Sequence, residues 1–102
     1  MAGQDKIVIH IDPEVKEIVP TFLKHRHEDI EKISEAVKRS DFESVRRLGH
    51  QMKGAGGGYG FDGITKIGAD LEACAKENNA GGILAALHEL SDYLERLVVV
   101  DE

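Results

Sequence analysis

From residue 12 onward the apolar positions recur at helical spacing, and no turn signal separates alternating strands. Asp12-Pro13-Glu14 has the order of a helix start, with Asp as cap, Pro at the first helical position and Glu in the first turn. Pro20 ends or kinks that short helix. A long helix is predicted from about Pro20 to Arg39, with Leu23, Ile30, Ile33 and Val37 as its apolar stripe. Ser40-Asp41-Phe42-Glu43 has the form of a capping box, with Ser40 as cap and Glu43 reaching back. It opens a helix bearing Phe42, Val45, Leu48 and Met52 inward. A glycine-rich segment follows, Gly54 to Gly60, and Asp62 is placed to cap a third helix with Ile64, Ile67, Leu71 and Ala75 inward. Asn78 to Gly82 reads as a turn. A last helix is predicted from about Ile83 to Val98, with Leu84, Leu87, Leu90, Ser91, Leu94 and Leu97 inward.

Four amphipathic helices with short connections predict an all-α fold, an antiparallel four-helix bundle with a short additional N-terminal helix. Residues 1–11 are expected to be an extended arm whose isoleucines cover a bundle end. The 102 residues, 41% hydrophobic and 31% charged, suit a single domain over 1–102.

Charge and cysteine content narrow the function. A net charge of −6 argues against general nucleic-acid binding, which needs a basic surface. The single cysteine, Cys74, excludes an intramolecular disulfide and points to a reducing compartment. The longest apolar runs are too short to span a bilayer. A cytoplasmic monomer, bound to neither membrane nor nucleic acid, is expected.

The chemistry concentrates around His50. Advancing about 100° per residue, Phe42, Val45, Leu48 and Met52 cluster on one side of the helix, and His50 falls well away from them, toward solvent. Arg46, Lys53, Gly54 and Gly57 share its outward side, one or two turns away. A neutral imidazole nitrogen is a good nucleophile near neutral pH. A phosphoryl group on it would bring up to about two negative charges, which Lys53 is placed to stabilise. Gly54 clears space one turn along. Between Lys38 and Lys53 five cations face two anions, so this stretch is locally positive in an acidic chain. Glycine in a helix costs about 1 kcal/mol relative to alanine, so Gly54, Gly56, Gly57 and Gly58 need a reason: close helix packing or partner access.

Other candidates read as structure. His25 and His27 are two apart and point to different sides of a helix, and His10 and His88 have no ligand neighbours. Cys74 belongs to the core or its boundary. The glycine run lacks the order of a phosphate-binding loop. No metal site is expected.

The stretch His50-Gln51-Met52-Lys53-Gly54-Ala55-Gly56-Gly57-Gly58-Tyr59-Gly60 resembles the signature of histidine-containing phosphotransfer domains. In that family a His is followed by a hydrophobic residue at +2, Lys at +3 and Gly at +4, then small residues, an aromatic or aliphatic one and Gly. Asp12-Pro13-Glu14, Phe22-Leu23 and Leu71-Glu72 extend the resemblance over nearly the whole chain, while the triple glycine Gly56 to Gly58 departs from it. The resemblance implies a phosphocarrier in two-component signalling and not an enzyme. His50 would accept phosphoryl from a receiver aspartate or a histidine kinase and pass it to another receiver, Lys53 assisting by charge and Gly54 by clearance. Arg46, Arg47, Gln51 and Gly57 would meet the partner. Partners would be response-regulator receivers and a hybrid histidine kinase. No cofactor is expected on this chain, with Mg²⁺ belonging to the receiver. An adaptor that binds a receiver or kinase without accepting phosphate is the alternative.

Overall fold

The computed structural model describes residues 5–101. In chain order it contains strand β1 (Ile7–Ile11), helices α1 (Val19–Lys38), α2 (Phe42–Gly56), α3 (Asp62–Lys76) and α4 (Ala80–Arg96), and strand β2 (Leu97–Asp101). The four helices form a bundle around one core that includes Ile33, Val45, Met52, Phe61, Ile64, Leu71 and Leu90.

The two ends of the chain depart from the expected all-α form. The helix predicted to reach Val98 stops at Arg96, and Leu97–Asp101 pairs in parallel with Ile7–Ile11, Ile7 opposite Leu97 and Ile11 opposite Asp101. Leu97 continues the spacing of Leu90 and Leu94, so the apolar pattern cannot mark the change. The β-branched run Val98 to Val100 gains a strand partner only through a segment some ninety residues earlier. The expected extended arm is thus a strand over residues 7–11, and its first four residues lie outside those described. The expected short N-terminal helix is a single 3₁₀ turn, Pro13–Val15. Asp12 does cap it, accepting from the Glu14 N–H at 2.9 Å. Pro20 sits in the first turn of α1, where a missing N–H breaks no helical bond.

The helix junctions use one device twice. Ser40 has φ 57°, and the Asp41 N–H returns to the Ala36 carbonyl at 2.8 Å, closing α1. Asp41, not Ser40, then caps α2: its carboxylate accepts from the Ser44 N–H at 3.2 Å and the Ser44 hydroxyl at 2.6 Å. The Ser44 hydroxyl bond is the main reason the Asp41 carboxyl is held below the usual range. Glu43 turns instead to Arg46. At the other junction Asn78 has φ 53°, the Asn79 N–H bonds the Cys74 carbonyl at 2.9 Å, and Asn79 caps α4 through the Gly82 N–H at 3.0 Å. The predicted Asn78–Gly82 turn therefore shrinks, and Gly81 and Gly82 belong to the first turn of α4. Asp62 is likewise the first residue of α3 and not its cap, which is Phe61.

Stripe residues mostly fall as predicted, with shifts where small or polar residues complete a face. In α1 the buried set includes Val19, Phe22, Asp29, Ile33 and Ala36, leaving Leu23, Ile30 and Val37 half-buried at the margin. Phe22 stacks on Phe61, meets Tyr59 edge-on and carries the Arg26 guanidinium 4.8 Å above its ring. Arg26 bonds the buried Asp29 at 2.9 Å, yet desolvation dominates and pushes the Asp29 carboxyl up. In α4 Leu84 faces outward and Ile83 and Ala86 take the core positions.

Helices α2 and α3 approach most closely. A Cβ on Gly68 would stand 2.5 Å from the Lys53 backbone nitrogen, and one on Gly49 would stand 2.9 Å from that of Glu72. Gly56 lies as tightly against Thr65. Residue numbers rise along α2 as they fall along α3, so these two helices run in opposite directions. The glycines bring backbone against backbone, which a side chain would forbid.

Candidate functional site

The α2–α3 approach delivers a side chain from α3 to the outward face of α2. His50 is 64% exposed, as its helical position predicts. Its Nδ1 lies 3.1 Å from Oε2 of Glu72. The other carboxylate oxygen, Oε1, lies 3.0 Å from Nζ of Lys53. One carboxylate on α3 therefore bridges the imidazole and the ammonium on α2, three residues apart along that helix. The Glu72 side chain is only 10% exposed, so it is held between the helices while His50 and Lys53 reach solvent.

The chemistry of the bridge follows from its charge. The Lys53 hydrogen bond is the largest influence, and with smaller help from that of His50 it overcomes the opposing effect of burial and keeps the Glu72 carboxyl below its ordinary range. An ionised carboxylate can only accept hydrogen bonds. In the neutral ring, the nitrogen facing it must carry the proton, so Nδ1 is N–H and Nε2 keeps the lone pair. A carboxylate fixing one imidazole tautomer is a common way to aim the other nitrogen.

The remaining candidates divide. A Cβ on Gly54 would meet nothing within 4 Å, so the space one turn beyond His50 is open. Gly58 is equally open and Gly57 nearly so, its Cβ position 3.5 Å from the Thr65 hydroxyl. Gln51 and Arg47 are exposed, and Arg47 makes one long contact to the Ser44 hydroxyl at 3.4 Å. Arg46 is clasped by Glu43 at 2.6 Å. Lys38 pairs with Glu35, and Arg39 with Asp41. The cation excess legible in the α2 segment is therefore balanced in part by carboxylates from α1 and α3.

Glu72 is the residue that motif reasoning passed over, although Leu71-Glu72 was part of the resemblance. Its signal was available: an acid beside Leu71, one turn beyond Gly68, on the edge of an otherwise apolar stripe. Its partners, 19 and 22 positions earlier, could not be read from spacing.

Among the described residues no group of three His, Cys, Asp or Glu side chains is placed to hold a metal ion. No helix among them is long and apolar enough to cross a membrane. His25 and His27 are exposed on α1, and Cys74 is half-buried against the core.

The family model for the Hpt domain matches residues 17–99. Comparison with curated proteins and with solved structures found no match.

Proposed function

The chain belongs to the Hpt domain family, whose members are phosphocarriers of two-component signalling, and we propose that it carries the phosphoryl group on Nε2 of His50. One observation carries this reading. Glu72 occupies Nδ1, leaving the lone pair of an exposed ring on Nε2, with an ammonium one turn away and open space above Gly54.

In the forward step the Nε2 lone pair attacks the phosphorus of a receiver's aspartyl phosphate. An N–P bond forms as the P–O bond to the aspartate breaks, and the carboxylate leaves with the bonding pair. The ring then carries positive charge, which Glu72 stabilises through the Nδ1 proton that it already holds. Lys53 lies close enough to exchange Glu72 for the incoming phosphoryl oxygens, supplying charge where negative charge develops. The reverse sequence, onto the aspartate of a second receiver, uses the same groups. Gly54 and Gly57 leave the outward face low enough for a receiver to bring its aspartate to the ring, with Gln51, Arg46 and Arg47 at the rim. Any Mg²⁺ belongs to the receiver, and the need to meet receivers and kinases places the protein in the cytoplasm.

The test is to incubate the purified protein with a phosphorylated receiver and follow acid-labile, alkali-stable phosphate. The wild type acquires it. His50→Gln, at a position that packs little, retains the fold and acquires none. Transfer to that variant at the normal rate would assign the phosphate to another histidine and end this reading.

A further inference from the structure

His50 has a cation one turn away in each direction along α2. Lys53 stands three residues after it and Arg46 four residues before, the two spacings that make neighbours on a helix surface. Helical side chains lean toward the N-terminus, so the imidazole leans over the turn that carries Arg46. Arg46 lies on the α3 side of that turn. Its guanidinium is held above the ordinary range chiefly by the Glu43 hydrogen bond, and the Glu72 carboxylate contributes through space. Arg47, in the same turn, bends away to the Ser44 hydroxyl at 3.4 Å.

The two cations are tied down at unequal cost. Nζ of Lys53 lies 3.0 Å from a carboxylate whose side chain is 10% exposed. Withdrawing Lys53 leaves that carboxylate between two helices with only the Nδ1 proton to answer it, and an uncompensated charge away from water is expensive. Arg46 is paired with Glu43, whose side chain is 65% exposed. Water takes the place of a partner lost there, and exposed pairs contribute little. The pairing also engages only Nε and Nη2, at 3.1 and 2.6 Å. The second terminal nitrogen, Nη1, takes part in neither bond.

We propose that Arg46 is a second phosphoryl-binding residue, turning from Glu43 to hold an oxygen of the phosphoryl group on Nε2 of His50, on the side away from Lys53. This rests on His50 being the phosphoryl acceptor. The group brings up to about two negative charges, and a planar guanidinium can present two N–H groups to phosphate oxygens where an ammonium offers a point charge. With Arg46 answering part of that charge, Lys53 need not abandon Glu72 altogether. Glu43 keeps the guanidinium beside the ring in the resting protein and is released to water when the phosphoryl group arrives.

Phosphoramidate separates this chemistry from docking. It is small enough to reach His50 without a receiver, and its P–N bond breaks to release ammonia as the bond to Nε2 forms. The wild type should acquire acid-labile phosphate from it and His50→Gln none. Arg46→Gln should load about fivefold more slowly or worse, a smaller loss than for a donor in a water-excluded site, with urea unfolding unchanged. Arg46→Lys should recover part of the rate. Glu43→Gln, which releases the guanidinium, should load at least as fast as the wild type. Lys66→Gln makes the same change of charge beside Glu89 of α4 and should leave the rate alone. No phosphate on the wild type, or phosphate that His50→Gln retains, ends the reading of His50 and this proposal with it. Normal loading of Arg46→Gln, with the wild type loaded on His50, overturns the role of Arg46 alone. If that variant is slow only with a phosphorylated receiver, Arg46 serves docking and the proposal falls. An equal loss in Lys66→Gln overturns it by assigning the effect to net charge. A Glu43→Gln variant as slow as Arg46→Gln overturns it by assigning the effect to the intact pair.

Discussion

The two sides of α2 use the same residue for opposite ends. Facing α3, Gly49 and Gly56 are glycine because the neighbouring backbone occupies the volume of a side chain, and Gly68 answers them from the other helix. Facing outward, Gly54 is glycine with nothing near it, and Gly58, in the turn just past the helix, is equally open. The inward set stabilises the fold through contact. Inside the helix Gly54 costs about 1 kcal/mol against alanine with no intramolecular return, which makes sense only if something else must come close. The inward approach also serves the outward face, because only helices packed this tightly let the short Glu72 side chain reach His50 and Lys53.

Breaking the inward side should have the largest effect. Gly68→Ala places a methyl group against the Lys53 backbone. Despite alanine's better helix propensity, a net loss of about 1–3 kcal/mol in denaturant unfolding is expected. Retained stability would mean that the helices are free to separate and that close packing is not what glycine provides there.

Gly54→Leu tests the outward side. Stability should hold or rise by several tenths of a kcal/mol, while transfer to and from a receiver falls about tenfold or more, equivalent to roughly 1.4 kcal/mol or more of lost docking. Lost stability with normal transfer would show that this glycine belongs with the inward set.

Glu72→Gln sharpens the link between the two. The His50 nitrogen resonances should show loss of a single fixed tautomer, and transfer should slow several-fold, the range expected of a lost charge-assisted hydrogen bond. The pH dependence has a definite sign. Because the folded carboxyl lies below its ordinary range, chiefly through Lys53, its contribution to stability is complete above the unfolded value. It disappears as pH falls through the folded one. The Gln variant should therefore lose less stability on acidification than the wild type, a difference measurable by urea unfolding at a series of acidic pH values.

The smallest effect is expected at Thr65, whose hydroxyl is buried against Gly56 without a hydrogen-bond partner. Thr65→Val keeps the shape and removes the unpaired group, so unfolding should show no loss and up to about 1 kcal/mol of gain. A clear loss would reveal that the hydroxyl has a partner, and that the inward glycines surround a polar contact.

How much of this could be read in advance depends on distance along the chain. The outward setting of His50, its neighbours Lys53 and Gly54, and the inward Val45 and Met52 are relations within one helix. A fixed rotation per residue makes them legible. The inward stripe of α3, Ile64, Ile67, Leu71 and Ala75, is legible for the same reason. The misplaced caps at Ser40 and Asp62 show the limit even locally. At the first, Ser40 takes the left-handed conformation and leaves the cap to Asp41; at the second, the left-handed residue is Gly60, so Phe61 takes the cap and Asp62 the first helical position.

The sequence by itself therefore determined the helices, the exposed histidine and the family to which they point, because periodicity and short motifs encode neighbours within a turn or two. Only the tertiary structure decided that Glu72 closes the site, which glycines serve packing and which leave space, and that Leu97–Asp101 leaves the helical pattern to pair with Ile7–Ile11. Each of these depends on which segment arrives opposite another. That is settled when the whole core packs, because a carboxylate, a glycine or a valine run acquires its role from a partner that its own surroundings in the chain do not specify.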